Sequence, residues 1–497
     1  MAITISQLAR ETGVINPPKI GLLVMGRKRP GFDPDWGAEV KRKINEAVAA
    51  LPWEVITPSE NIADESELKR AVGELRAAEA TTAVVVQPTI SDGRLAPMLS
   101  RLWDKPLLLW ATTEKPTGAM ISANSLVGTH VMAATLRQLG HPLELVYGHP
   151  EDTELRARLR QAIVAVHAAD AVRGRKFGLV GAHAPGFVDF HADPVFLNDE
   201  LDSQLYHLGS IELIQRVRSY SDEEVAPELA EMVELGIPLG ETFTRGEGVS
   251  PDGSEELLMQ ALYYRAFREL FEEEELDLLA FRCWPDLPSE LGHWPYLALA
   301  RLVSEGFPIA MEGDVDGALS SLIAESAGLG PVYLSDWLAH DAETITIWHT
   351  GAAPFQLCEP VDTDGGPRLS VQFNNKKPTV VDATIRAGIE ATAFRIWRFD
   401  GSYHMTALEG ETVEPTRPLM ATNGLFRVDG GGVAGGGAVA HDGAGPGTNA
   451  PAAAALDVRD WFEEMVQLGM PHHLAIVPGR HADTLRRIAR LIGAVWV

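Results

Sequence analysis

The feature that most constrains the fold is a regular alternation of short apolar runs with amphipathic stretches. It begins with the apolar run 19–26, followed by a stretch of helical period at 35–51, and it continues through 82–88 and 106–112. The alternation restarts at residue 176 and extends to about residue 350. This order is typical of parallel sheets covered by helices. The sequence therefore predicts an α/β protein with two successive Rossmann-like parallel-sheet layers.

The pattern changes after residue 351, where turn-linked β segments predominate and helical stretches are few. A smaller β-rich C-terminal domain is predicted there, closing with a helix, a strand and a helix. Residues 429–455 are rich in Gly and Ala and have no hydrophobic period, which favours a flexible loop. The predicted domains are an N-terminal α/β domain at 1–172, a second α/β domain at 173–350 and the β-rich domain at 351–497. Within the second domain, the segment 209–215 is predicted to be a strand.

Composition excludes several classes of protein. The net charge of −27 disfavours a polyanionic partner such as nucleic acid. Two cysteines exclude a disulfide framework and a Cys-rich zinc site. The N-terminal residues do not resemble a secretory signal, and no run of about 18 uncharged apolar residues predicts a membrane span. We therefore expect a cytoplasmic protein.

Possible metal ligands follow several predicted strands. Glu312 ends PIAME, Asp336 ends VYLSD and His349 ends TITIWH. If these strands are parallel, their carboxyl ends share one sheet edge, where ligands bind in open α/β folds. The pair His472–His473 opens a later strand, and because strand side chains alternate, at most one of the two is expected to face a given site.

Two carboxylates and an imidazole suit Mn²⁺, Co²⁺ or Mg²⁺ better than a thiolate-preferring metal. A metal of this kind can polarise adjacent sugar oxygens while carboxylates move a proton. That composition fits carbonyl–hydroxyl isomerisation, and it fits hydrolysis as well.

Other polar residues near these strands have simpler explanations. Asp314 and Asp316 are expected to favour the start of the following helix through capping and the helix dipole. His183 and His191 fall in a loop after the first strand of the second layer, from which they could face the cleft.

The segment CWPDLPSELGHWPYLALARLVSEGFPIAMEGDVDGALSSLIAESAGLGPVYLSDW, followed by IWHTGAAPFQLC, resembles the L-fucose/L-arabinose isomerase superfamily. In that family a Cys-Trp-Pro-like strand end, an E-G-D segment, a strand-terminal Asp and an H-x-G-x-x-P turn follow in this order. The resemblance is strongest over about 278–358, fair at GMPHHLAIVPG and weak over 1–170.

The resemblance implies aldose–ketose isomerisation of an open-chain sugar through a cis-enediol, with a divalent metal, usually Mn²⁺. By the family pattern, Glu312 and Asp336 would bind the metal and act as the acid/base pair, and His472 or His473 would complete the coordination. His349 and Trp284 would lie against the substrate. A homo-oligomer, trimer or hexamer, is also implied.

Two alternatives remain open at the level of sequence. The same site could isomerise or epimerise an acidic sugar, for example a sulfonated one, with Arg282 or Arg480 as the partner of the anion. The chain could also be a non-catalytic cytoplasmic sugar-binding protein, since two α/β layers also build clam-shell binders.

Overall fold

The structure is a computed structural model that describes residues 17–27, 33–58, 62–246, 248–430 and 456–497. From residue 431 onward, the predicted flexible loop 429–455 lies outside the described residues. The chain forms two compact units. One contains the described part of Asn16–Ala171 together with Thr484–Gly493, and the other contains Val172–Asp483 together with Ala494–Val497. The three-domain division stays a prediction.

The first unit is built on a five-stranded parallel sheet of order β2-β1-β3-β4-β5. Its strands are β1 (Ile20–Val24), β2 (Val55–Ile56), β3 (Thr82–Gln87), β4 (Leu107–Ala111) and β5 (Leu143–Tyr147). Its helices are α1 (Pro34–Ala49), α2 (Glu65–Ala77), α3 (Ala96–Leu102), α4 (Ser125–Gln138) and α5 (Thr153–Ala171). Strands β3 and β4 are buried along their whole length, as expected of parallel strands covered on both faces.

The second unit begins with a four-stranded parallel sheet of order β7-β6-β8-β9. Its strands are β6 (Lys176–Val180), β7 (Gln204–Leu208), β8 (Leu278–Phe281) and β9 (Ile309–Ala310). The associated helices are α6 (Pro194–Leu201), α7 (Ser210–Ser219), α8 (Ala226–Glu234), α9 (Ser254–Glu273), α10 (Asp286–Glu290), α11 (Tyr296–Ser304) and α12 (Val315–Ser326).

The strand predicted at 209–215 is wrong, because this segment is the start of helix α7. Leu213, Ile214 and Val217 are buried at helical spacing, and the Glu212 carboxylate accepts a hydrogen bond from the Gly209 N–H at the helix start. These two features outweigh the short apolar run that favoured a strand.

The remaining strands form a nine-stranded sheet of order β12-β13-β16-β11-β10-β17-β14-β15-β18, and an additional pairing joins β15 to β16. That pairing closes strands β16, β11, β10, β17, β14 and β15 into a barrel. The strands are β10 (Tyr333–His340), β11 (Thr344–His349), β12 (Arg368–Val371), β13 (Pro378–Thr384), β14 (Glu390–Phe399), β15 (Ser402–Val413), β16 (Thr422–Val428), β17 (His473–Pro478) and β18 (Val495–Trp496). Helices α13 (Val458–Gln467) and α14 (Ala482–Ile492) flank β17 in the chain.

The predicted fold class is confirmed: parallel α/β layers are followed by a β-rich part. One part of the prediction is wrong. Strands β10 and β11 pair antiparallel with each other inside the barrel, and they are not strands of the second parallel layer. Within the described ranges, no helix combines the length and hydropathy that crossing a bilayer requires.

Candidate active site

Glu312 stands just beyond β9, in a backbone conformation that fixes where its carboxylate points. Its φ is +62° and that of Gly313 is +74°, and only glycine adopts this region without strain. A Cβ at Gly313 would lie 2.4 Å from the Ala182 carbonyl oxygen. The Glu312 carbonyl accepts a hydrogen bond from Ala184 N at 2.8 Å. The Glu312 backbone is therefore held between the ends of neighbouring strands, and such strain is common at functional sites.

The barrel supplies Asp336 and His473 to the same place. These two residues are direct partners in the antiparallel pairing of β10 with β17, so their side chains start only about 5 Å apart. His473 Nε2 lies 3.3 Å from Asp336 Oδ1 and 3.5 Å from Glu312 Oε2. One imidazole nitrogen thus faces both carboxylates that the sequence singled out.

Glu312, Asp336 and His349 do come together, but the prediction that they share the carboxyl edge of one parallel sheet is wrong. Asp336 lies in the middle of β10 rather than at a strand end on a parallel sheet edge. Its partner on β11 is Trp348. The next residue, His349, lies beside the site, with its ring centroid 5.4 Å from that of His473. Antiparallel register within the barrel brings these side chains together, and only Glu312 comes from the carboxyl edge of the parallel sheet.

His473 is oriented from behind by Asp314. The His473 Nδ1–H group donates to Asp314 Oδ2 at 2.8 Å, and Arg395 forms two bonds of 2.7 Å to the same carboxylate. All three side chains are buried. Asp314 also caps helix α12, as predicted, by accepting a bond from Gly317 N. The capping signal was readable in the sequence, whereas the contacts with Arg395 and His473 involve residues 81 and 159 positions away.

Asp316, the other acidic residue of this segment, lies in the first turn of helix α12, as predicted. Its carboxylate pairs with Arg398 at 2.9 Å and does not contact the candidate site. The two neighbouring aspartates therefore serve different buried ion pairs.

Both histidines of the pair reach the site, contrary to the prediction that at most one would. His472 Nε2 lies 3.8 Å from Asp336 Oδ1, and its Nδ1 is 2.9 Å from Asp189 Oδ2. Its ring packs against those of Phe187 and Phe190. The strand begins only at His473, so the alternation of strand side chains does not constrain His472.

His349 and Trp284 provide hydrogen-bond donors next to the carboxylates. His349 Nδ1 accepts a bond of 2.8 Å from the backbone N–H of Thr350, so the proton of the neutral ring is on Nε2. Trp284 Nε1 donates to Glu312 Oε1 at 3.1 Å. The tautomer of His349 is thus opposite to that favoured at His473, where Nδ1 is the donor.

The electrostatics of the site keep its carboxylates ionised. Burial alone would raise their pKa, but His473 and His349 hold the pKa of Glu312 below its usual value and that of Asp336 at about 2. Burial likewise opposes the charged form of His473, yet Asp314, Asp336 and Glu312 raise the pKa of His473 well above the ordinary histidine value. At His349 burial prevails and lowers the pKa.

These side chains border a cavity of about 610 Å³, within the range of small-molecule sites. Its lining contains Glu312, Asp336, His349, His472 and Trp284. We call these five residues, together with the buried His473 behind them, the acidic centre. The cavity is also lined by Trp294, Tyr296, Trp348, Ser289, Gln372, Phe373, Asn374 and Asn375. His183 and His191 are not among the lining residues. The segment 372–377, which follows β12 and which we call the amide turn, was not singled out from the sequence.

Two sets of side chains offer ligand atoms close enough together to hold a cation. One set is Glu312, His349 and His473, and the other is Asp336, His472 and His473; within each, all ligand atoms lie within 4.8 Å of one another. His473 is common to both sets, so it is the natural centre of a metal site.

Known proteins similar to this chain are sugar isomerases. A sulfoquinovose isomerase from Priestia aryabhattai is 25% identical over 474 residues, covering 94% of this chain and 96% of that protein. One from Alkalicoccus urumqiensis is 28% identical over 345 residues, covering 68% and 74%. One from Clostridium sp. (strain MSTE9) is 26% identical over 424 residues, covering 82% and 84%. These relatives bear out the expectation of an enzyme of the sugar isomerase class.

Solved structures add little to this comparison. A glucose-galactose binding protein from Geobacillus stearothermophilus aligns with 63% of this chain and 93% of its own at 12% identity, but the TM-score is 0.16. That score carries no argument about fold or function. No family model matches the chain, so the resemblance to the L-fucose/L-arabinose isomerase superfamily stays an expectation.

Proposed function

We propose that this chain is a metal-dependent aldose–ketose isomerase whose active site is the acidic centre. The observation that carries the proposal is the position of His473 Nε2, which lies 3.3 Å from the Asp336 carboxylate and 3.5 Å from that of Glu312. The isomerase relatives support the reaction class independently of this geometry.

The residues fit a divalent cation. His473 Nε2 is buried and has no hydrogen-bond partner among the described residues. A cation about 2.1 Å from each ligand would separate adjacent ligand atoms by roughly 3 Å. The His473 Nε2 atom lies 3.3 Å from the Asp336 carboxylate and 3.5 Å from that of Glu312, close to this separation. Asp314 behind His473 forms the carboxylate–histidine arrangement that commonly orients metal-bound imidazoles. Oxygen ligands with one imidazole suit Mn²⁺.

Glu312, Asp336 and His473 would hold the cation, whose chemistry would be to polarise two adjacent oxygens of an open-chain sugar. One carboxylate of the Glu312–Asp336 pair takes the proton from C2, and the electrons of that C–H bond form the double bond of a cis-enediol. The other carboxylate moves a proton between O2 and O1, and return of a proton to C1 gives the ketose. The Trp284 indole orients Glu312 for this role.

His349 has a different role from His473. Its Nδ1 accepts a hydrogen bond from the Thr350 N–H, so the ring proton is on Nε2. Nε2 can therefore donate a hydrogen bond to a sugar oxygen, but it has no lone pair to offer a metal. We therefore assign His349 to substrate binding, together with Trp284.

The relatives act on sulfoquinovose, and we propose a sulfonated aldose as the substrate. The arginines suggested from the sequence do not serve this purpose. Arg480 pairs with Glu390 and Asp429 beyond the far end of β17, roughly 20 Å along the strand from His473. Arg282 lies 3.4 Å from Asp286 and does not line the cavity.

The test is a panel of neutral and sulfonated aldoses incubated with the chain, with detection of the ketose. We expect turnover of sulfoquinovose that EDTA abolishes and Mn²⁺ restores. Turnover that survives exhaustive chelation would contradict the metal assignment. Sugar binding unaffected by EDTA, without any ketose, would favour the non-catalytic binder instead. The trimeric or hexameric state and the cytoplasmic location stay predictions.

A further inference from the structure

The amide turn lines the same cavity as the acidic centre but has the opposite chemical character. We propose that this turn is the subsite for an anionic group at the end of the sugar remote from C1 and C2, and that it selects a sulfonate over a hydroxyl. The inference rests on the proposed function for the orientation of the sugar, and it adds the residues that set the specificity.

Gln372 presents hydrogen-bond donors only. Its Oε1 accepts bonds from the backbone N–H groups of Asn374 and Asn375, at 2.7 and 2.9 Å. Backbone N–H groups can only donate, so this contact fixes which end of the amide is oxygen. Within the described part of the chain, Gln372 Nε2 finds no acceptor. Its two N–H bonds are left for a ligand in the cavity that Gln372 lines.

Asn375 repeats the arrangement. Its Oδ1 accepts from the Trp294 indole N–H at 3.2 Å and from Lys377 N at 3.1 Å, and both of these groups are obligate donors. The Asn375 side-chain nitrogen has no acceptor among the described residues. Two amides in one turn thus have their oxygens engaged by the protein and their nitrogens unengaged, on the border of one cavity.

The charge of the turn agrees with an anionic ligand. The sequence NNKK, residues 374–377, contains no carboxylate and places two lysines next to the amides. In a chain of net charge −27 this is a locally positive segment, and such segments raise the local concentration of anions. An anionic end of the sugar would be disfavoured beside Glu312 and Asp336, so the two regions together impose one orientation on the substrate.

The donors of Gln372 and Asn375 separate a sulfonate from a hydroxyl. A sulfonate has three acceptor oxygens and no proton, so every contact with the amide nitrogens is satisfied. A terminal hydroxyl must also donate, and the side-chain oxygens of Gln372 and Asn375 are already engaged by the protein. At these two amides, specificity therefore arises from the N–H groups they provide and from the engagement of their oxygens.

The experiment measures the affinity of the full chain, loaded with Mn²⁺, for sulfoquinovose and for D-glucose by titration calorimetry. Two variants, Gln372→Glu and Asn375→Asp, keep the oxygen that holds the turn together and replace only the unpaired NH₂. We expect each to weaken sulfoquinovose binding about 10- to 100-fold, because the sulfonate loses a hydrogen-bond donor and meets a negatively charged carboxylate. D-glucose binding should change less than threefold.

Gln138→Glu is the matched control, because it adds the same charge at an exposed position of α4. It should bind sulfoquinovose as the unaltered chain does. Unchanged sulfoquinovose affinity in both turn variants, or an equal loss for D-glucose, would overturn the proposal. So would an unaltered chain that does not prefer sulfoquinovose. Equal or tighter binding of D-glucuronate or glucose 6-phosphate would overturn the assignment to a sulfonate.

The same titrations separate this inference from the proposed function. If the unaltered chain binds sulfoquinovose selectively and the turn variants do not, but no ketose forms, the subsite stands and the isomerase proposal falls. If ketose forms from sulfoquinovose and the turn variants bind it normally, the isomerase proposal stands and the subsite falls.

Discussion

The acidic centre and the amide turn border one cavity, yet they are built on opposite principles. In the acidic centre, Glu312, Asp336 and His473 face one another, and their charges are balanced by buried partners such as the Asp314–Arg395 pair. In the amide turn, the side-chain oxygens of Gln372 and Asn375 accept hydrogen bonds from the protein, and their N–H groups remain available to a ligand. The first arrangement is suited to holding a cation and moving protons, and the second to recognising a group that does not react.

This contrast predicts that changes in the acidic centre lower kcat, whereas changes around the amide turn raise KM. The largest effect is expected for Glu312→Gln, which keeps the volume of the side chain but removes its charge. Loss of a positioned acid/base group costs about 10²- to 10⁴-fold in rate. The kcat measured by ketose formation should therefore fall by at least about 10²-fold.

Glu325→Gln is the matched control for that substitution. Burial raises the pKa of Glu325 to about 8, so this carboxyl is mostly protonated at neutral pH and glutamine resembles it. Glu325 does not line the cavity, and its variant should retain kcat within about twofold. Near-normal activity of Glu312→Gln would remove Glu312 from the mechanism.

The next effect is expected on metal affinity. Asp314→Asn places an amide where the His473 Nδ1–H and Arg395 groups need an acceptor. Loss of such an outer partner typically weakens metal binding about 10- to 100-fold. Titration of the metal-stripped chain with Mn²⁺ measures this directly.

Asp316→Asn separates orientation of the imidazole from general destabilisation. Asp316 lies on the same helix turn and forms its own buried ion pair with Arg398 at 2.9 Å, but it does not contact His473. Both variants should lower Tm, and only Asp314→Asn should lower Mn²⁺ affinity. Equal affinities in the two variants would show that Asp314 has only a structural role.

A smaller effect is expected from Trp294→Phe, which removes the indole donor that holds Asn375 Oδ1. Loss of one neutral hydrogen bond is worth about 1 kcal/mol, or roughly fivefold. KM for sulfoquinovose should rise by that factor with kcat unchanged. A fall in kcat at constant KM would mean that Trp294 acts on the acidic centre instead.

The two regions should also differ in their response to acid. The folded-state pKa of Asp336 is depressed to about 2, and that of Glu312 is lowered as well. Their stabilisation is therefore present above the unfolded-state values near 4 and is lost as pH falls through the folded-state values. In the metal-free chain, Tm should drop between about pH 4 and pH 2, and Asp336→Asn should flatten that slope. Trp294→Phe should leave the dependence of Tm on pH unchanged. If Asp336→Asn shows the same dependence as the unaltered chain, the ionised state assigned to Asp336 is contradicted.

Much of the fold could be predicted because parallel strands buried on both faces have distinctive sequences. Runs such as TAVVVQ in β3 and LLLWA in β4, which alternate along the chain with stretches of helical period, indicate buried parallel strands. The barrel strands were harder. PVYLSDW is a short apolar run that suits either sheet type, but TITIWH in β11 alternates in burial, which is typical of an antiparallel strand. That alternation was the available signal for the barrel.

Of the candidate site, the sequence predicted the residues with chemistry but not those that hold them in place. Glu312 and Asp336 follow apolar runs within a recognisable segment. The contacts of His472 with Asp189 and of His473 with Asp314 span 283 and 159 residues, and no local pattern encodes such pairs. The amide turn escaped notice because asparagine and glutamine in a turn are ordinary until the partners of their oxygens are known.

The most direct test of the account is anomalous diffraction from crystals of the chain grown with Mn²⁺. We predict one strong peak per chain, roughly 2.0–2.3 Å from carboxylate oxygens of Glu312 and Asp336 and from His473 Nε2. A peak elsewhere, or full occupancy by Mn²⁺ without His473 among the ligands, would contradict the central claim that these three residues hold one cation.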